Sequence, residues 1–73
     1  MEKRSNRTER NVEHKPLLVS VEKAAEMLGI GRVLCYQLIA CGELVSVKIK
    51  GRRLVPVAAI HAYIRRLMDE SAA

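Results

Sequence analysis

Between Met1 and Pro16 the only apolar residue after the starting methionine is Val12, and no face can be buried there. From Leu17 onward the pattern changes. At about 100° per residue, Val21, Ala24, Ala25, Met27 and Leu28 fall on one arc, with Glu22, Lys23 and Glu26 opposite, which predicts an amphipathic helix with one buried stripe. Gly29-Ile30-Gly31 interrupts it. Leu34, Cys35, Leu38 and Ile39 then form a second helical arc, leaving Arg32, Val33, Tyr36, Gln37 and Ala40 to face outward. A turn this short keeps the two helices in contact, so the stretch reads as a helix, a turn and a helix.

The boundaries have chemical markers. Ser20 is placed to accept from a free amide of the first turn, and Glu22 lies where the helix dipole favours an anion. Lys23 at the third helical position removes the reciprocal capping box. Leu17-Leu18-Val19 is expected to pack as a staple across the start of that helix, and Gly42 is expected to stop the second one. Val45-Ser46-Val47-Lys48-Ile49 alternates with period two, Lys50-Gly51 turns, and Arg52-Arg53-Leu54-Val55 returns until Pro56 ends the pairing. That is a β-hairpin. Beyond it, Val57, Ile60, Ile64, Leu67 and Met68 recur at three and four with Tyr63 beside them, predicting a last helix that closes the core. Arg65 and Arg66 are expected near its end, where a cation suits the dipole, and His61 on its surface.

Composition narrows the class. Seventy-three residues make one domain, and with no Trp and no Phe its core is built from Leu, Val, Ile, Ala and Met. The net charge of +5 points to a polyanionic partner only if the cations cluster. They do: Lys48, Lys50, Arg52 and Arg53 occupy the hairpin tip with no acid among them. The outward face of the second helix, in contrast, is small, mixed and lightly charged, as a surface entering a DNA groove must be. Residues 1–16 are expected to form a mobile basic arm, with Lys3, Arg4, Arg7, Arg10 and Lys15 outnumbering Glu2, Glu9 and Glu13, and residues 17–73 the folded domain.

Cys35 and Cys41 point about 240° apart on one helix and cannot easily bridge, so a reducing interior is expected, with Cys35 in the core. The two histidines, His14 and His61, lie in different segments, and no metal set, paired acids, activated nucleophile or Gly-rich phosphate loop is present. The reading is therefore not an enzyme, with no catalytic residues and no cofactor. No run approaches the roughly 20 apolar residues that span a bilayer, and no signal-peptide pattern opens the chain, so a soluble protein of the cytoplasm is expected.

Taken together, the chain resembles the excisionase-type, MerR-like winged helix-turn-helix family. The matching residues run from Leu17 to Ile64: Ser20-Val21, Ala24-Ala25, Leu28-Gly29-Ile30, Arg32, Tyr36, Leu38-Ile39, Gly42-Glu43-Leu44, Lys48-Ile49, Gly51-Arg52-Arg53 and Val55-Pro56. The resemblance implies a mainly α fold with a small β-hairpin: helix, turn, recognition helix, two-stranded wing and closing helix. It implies that the second helix enters the major groove of double-stranded DNA, and that the wing reaches the backbone or minor groove. Arg32, Val33, Tyr36 and Gln37 are then the groove-helix candidates, and Arg52 and Arg53 the wing candidates; the charge clustering at the hairpin tip adds Lys48 and Lys50 as DNA-contact candidates. Gly31 stands where the family usually has Ser or Thr as N-cap. Leu34-Cys35 replaces a commoner Thr-Val pair, and Gln37 a commoner Arg or Lys.

A single module of this kind covers about 600–1,000 Å² of interface, too little for a tight unique site, so cooperative binding of several copies is expected. The MerR-type coiled coil and its ligand sensing are not expected in a chain that ends at Ala73. The reading that follows is a phage or mobile-element excisionase in a bacterial host, a recombination directionality factor that binds repeated attachment-site sequences, bends the DNA and assists an integrase. A small transcriptional regulator or antitoxin-like repressor of the same fold is the alternative, and a protein-interaction adaptor without a DNA role belongs to another class. With only Tyr36 and Tyr63 to stack on bases, RNA or single-strand binding is disfavoured.

Overall fold

The computed structural model describes residues 15–72. Most of the expected basic arm, residues 1–14, lies outside that range. The elements run β1 (Leu18–Ser20), α1 (Val21–Leu28), α2 (Arg32–Ala40), β2 (Val47–Ile49), β3 (Arg52–Pro56) and α3 (Val57–Ala72). This is a winged helix-turn-helix, in which a three-stranded antiparallel sheet of order β1-β3-β2 replaces the expected two-stranded wing.

The additional strand corrects the staple reading of Leu17-Leu18-Val19. Leu18 pairs with Pro56, Val19 with Val55 and Ser20 with Leu54, while β2 pairs with the other half of β3 through Val47↔Leu54, Lys48↔Arg53 and Ile49↔Arg52. The two neighbours are staggered along β3. Pro56, expected to end the pairing, is its last paired residue, and it is tolerated because β2 does not extend far enough to require its missing amide. Val57 N–H then donates to the Leu17 carbonyl at 2.9 Å. Sequence alone could not join β1 to β3, because the two are separated by the whole helix pair.

Ser20 ends the strand and begins the helix. Its Oγ accepts from the Lys23 amide at 3.0 Å, so one residue serves both the sheet and the cap of α1. Ser20→Ala is expected to lower stability by about 1 kcal/mol in urea unfolding, with an unchanged m-value. At the other end of α1, the Gly29 amide donates to the Ala25 and Glu26 carbonyls. After α2 the chain turns at Gly42, in the left-handed region at φ 86°, and the amides of Glu43 and Leu44 both return to the Leu38 carbonyl at 2.9 and 3.1 Å. The expected stop is thus in place.

Val19, Val21, Ala24, Ala25, Cys35, Leu44, Val55 and Ile60 form the core, with Leu28, Ile30, Leu38, Ile39, Val57 and Tyr63 packed around it. Every element except β2 contributes to one or other set. Five expected core positions do not belong to it. Met27 and Leu34 lie at the margins of their helical arcs and are 44% and 46% exposed, since each short helix has room to bury only a narrow stripe. On α3 the stripe is sealed at Ile60, whereas Ile64, Leu67 and Met68 are exposed, because the helix runs on past a core that is already closed. Only the first half of α3 closes the fold.

The same overrun alters the arginines. With α3 reaching Ala72, Arg65 and Arg66 are not in its last turn, and the dipole role expected for them does not apply. Arg66 instead reaches back to the loop after α2. Its Nη2 donates to the Glu43 carboxylate and, at 3.2 Å, to the Glu43 carbonyl, and its guanidinium lies over the Tyr63 ring at 5.4 Å. His61 is exposed, as expected.

Candidate nucleic-acid interface

Helix α2 is held by its inner side and open on its outer one. Cys35 is fully buried and Leu38 and Ile39 are half-buried, while Arg32, Val33, Tyr36, Gln37 and Ala40 are all exposed. Gly31 caps the helix without a side-chain acceptor, so the amides of its first turn have no hydroxyl covering them. This outer face carries no acidic group. Arg32 lies at its edge, with Nη1 4.0 Å from a carboxylate oxygen of Glu22 on α1. The pair is largely solvated and leaves the guanidinium accessible.

Burial of Cys35 pushes its thiol pKa up, and the negative charge of Glu22 adds to the effect. The thiol therefore stays protonated and unreactive at neutral pH. Because the folded-state value is the higher one, its contribution to stability is present at neutral pH and declines as pH rises through the alkaline thiol range. Cys41 is exposed, its Sγ lying 3.5 Å from the Leu38 carbonyl. Native protein is expected to consume one equivalent of a maleimide reagent rapidly at Cys41, with a second equivalent reacting only on denaturation, as intact-mass measurement would show.

The wing is exposed throughout β2 and at the first two residues of β3. Its tip is a two-residue turn with Lys50 at φ 49° and Gly51 at φ 83°, the left-handed pair that matches the twist of an antiparallel hairpin. Strand geometry divides the cations. Residues paired across strands share a face, and alternate residues along one strand share a face. Lys48 and Arg53 are partners, and Arg53 is two residues from the buried Val55, so both lie on the sheet face that turns toward the core and the helices. Arg52 is partnered with Ile49 and lies on the opposite face, together with Val47 and Leu54. Lys50 stands at the apex.

Lys48 and Arg53 are like charges placed directly opposite one another, an arrangement that costs stability in the free protein. Arg53 is steadied by an Nη1 hydrogen bond of 2.8 Å to Ser46 Oγ. Among the described residues, no carboxylate lies within ion-pair distance of Lys48, Lys50, Arg52 or Arg53; the ion pairs are Lys23–Glu26, Arg32–Glu22 and Arg66–Glu43. Four neighbouring cations without counter-charges among the described residues constitute a surface whose electrostatic repulsion an external polyanion would relieve.

None of the eight candidate residues is buried, and the structure sorts them into an outward helix face and a wing whose two sides differ. Two contributors escaped sequence reasoning. Glu22 was read only as a dipole partner, although it also faces Arg32, and Ser46, which lies just before β2, was not distinguished from the rest of the alternating stretch. A period-two count carried back from the Lys50-Gly51 turn places Ser46 on the face of Lys48 and Arg53, so that signal was available. The pairing of Glu22 with Arg32 depends on how the helices pack. Among the described residues, no group of His, Cys, Asp and Glu could hold a metal ion, and no helix is long and apolar enough to cross a membrane.

Residues 18–68 match the helix-turn-helix domain family. Over 57 residues the chain is 44% identical to a protein of Saccharopolyspora erythraea described as a probable excisionase; the match takes in 78% of this chain and 58% of that relative's length. Over 56 residues it is 36% identical to an excisionase of Streptomyces ambofaciens, the match covering 77% of this chain and 90% of the relative. No solved structure matches the chain.

Proposed function

We propose, since this chain belongs to the excisionase-type helix-turn-helix DNA-binding family, that it binds repeated sequences in attachment-site DNA, bends them, and so favours the excision direction of an integrase. The observation that carries the reading is the likeness to a probable excisionase and an excisionase, together with a helix-turn-helix family match over residues 18–68 that takes in the wing. The site supports it physically. Residues 17–73 act as the DNA-binding domain, with α2 in the major groove and the wing at the adjoining minor groove and backbone. Gln37 is suited to an adenine edge, Arg32 to a guanine or a phosphate, and Val33 and Tyr36 to the groove wall.

The wing cations take phosphates, which fixes position without reading sequence. Lys48 and Arg53 on one face and Arg52 on the other let a hairpin approaching tip-first address both backbones that border a minor groove. Gripping neighbouring grooves from one rigid module favours a bent duplex. Because one module covers so little DNA, several copies bind side by side. Gel shifts with circularly permuted attachment-site fragments test the reading: mobility should vary with the position of the site. Mobility independent of position would exclude bending, and failure to retard the fragments at low salt would exclude the DNA role altogether.

A further inference from the structure

The wing carries something a purely electrostatic clamp has no use for. On the face opposite Lys48 and Arg53, Val47 and Ile49 are 37% and 48% exposed, and among the described residues nothing packs over β2 to bury them. Ile49 is the last residue before the Lys50-Gly51 turn and the cross-strand partner of Arg52. A branched apolar side chain therefore stands at the tip of the hairpin, flanked on its own face by Arg52 and at the apex by Lys50, neither of which has a carboxylate partner among the described residues. Water is a poor neighbour for it, and so is an apolar protein surface, because docking one there would strip Lys50 and Arg52 of water without providing a counter-charge.

A surface that is anionic at its rim and apolar just inside fits both requirements. The minor groove of duplex DNA is such a surface: phosphates line its edges, and deoxyribose carbons form its walls. We propose that Ile49, with Val47 behind it, packs against deoxyribose in the minor groove while Arg52 and Lys50 take the flanking phosphates. The wing thus makes an apolar contact as well as an ionic one. This rests on the DNA-binding reading above and assigns to it two residues that charge alone would never single out. The contact discriminates by groove shape, since sugar walls present no base-specific edge.

Ionic and apolar contacts respond differently to salt, and this separates them. Neutralising a phosphate releases counterions, so loss of Arg52 should lower the slope of log K against log salt by about 0.9, whereas loss of an apolar contact leaves the slope unchanged. The test uses the full chain, a single-site duplex, and titrations at several salt concentrations. Ile49→Thr keeps the β-branched shape that suits a strand, and Ile49→Val retains most of the apolar surface. Ile49→Thr is expected to bind about 3- to 10-fold more weakly at every salt concentration with the wild-type slope, Ile49→Val close to wild type, and Arg52→Ala with a reduced slope. Wild-type affinity of Ile49→Thr for the single site would overturn the proposal while leaving the DNA-binding reading intact, as would a defect confined to multi-site DNA, which would place Ile49 against a neighbouring copy. Absence of duplex binding by the wild-type chain would overturn both.

Discussion

Leu44→Ala is expected to unfold much of this protein at 25 °C. Leu44 is 1% exposed and is among the largest side chains fully enclosed by the core, yet it belongs to no helix or strand. It enters the core from the segment between α2 and the wing, where its amide and that of Glu43 are bonded to the Leu38 carbonyl. Truncating a buried leucine removes its transfer free energy and leaves a cavity, costing about 2–5 kcal/mol. A domain of this size has only about 3–5 kcal/mol to lose. The urea midpoint should fall toward zero and the native far-ultraviolet dichroism should weaken. Leu17→Ala, at a position 83% exposed, should shift stability by less than about 0.5 kcal/mol. Equal effects of the two substitutions would mean that Leu44 is not the anchor joining helix pair and wing.

The second large effect concerns binding. Gln37→Ala is expected to abolish most of the preference for one base pair in the target, a loss of about 1–3 kcal/mol, or roughly 5- to 150-fold in discrimination, with little change in affinity for unrelated DNA. Gln37 is exposed on the outward face of α2, and its side chain makes no hydrogen bond to the protein among the described residues, so truncation should shift stability by less than about 0.5 kcal/mol. Arg53→Ala should behave in the opposite manner: weaker binding to all sequences, a salt slope smaller by about 0.9, and an unchanged base preference. Selection of bound sites from a randomised duplex pool, combined with salt titration, measures both. The same base selected as strongly by Gln37→Ala would remove Gln37 from the reading face. Unaltered affinity of Arg53→Ala at low and high salt would remove Arg53 from the phosphate contacts.

The contrast between these residues reflects where each lies. Gln37 projects from a helix whose inner side is anchored by Cys35, so its direction follows from helix period and burial. Arg53 belongs to a strand, and its direction depends on the register with β2 and on the bond to Ser46. A four-cation cluster read along the sequence looks like one patch. Strand alternation places Arg52 on one side of the wing and Lys48 and Arg53 on the other.

Local chemistry in the chain determined the helix pair and its turn, the Ser20 cap, the stop at Gly42, the hairpin with its cationic tip and the burial of Cys35. Each depends on residues within a few positions of one another, where periodicity, caps and turn residues act directly. Tertiary structure alone decided that Leu18–Ser20 is a strand of the wing sheet, that Met27, Leu34 and the far half of α3 stay outside the core, and that Arg66 ties α3 to Glu43. These depend on which distant segments meet and on how much apolar surface a core this small can enclose. An apolar stripe shows which side of a helix can be buried, but the extent of the opposing surface sets how much of it is. The exposed Ile49 beside the wing cations belongs to this second kind: alternation marked it as apolar, and it faces out because no element among the described residues covers β2.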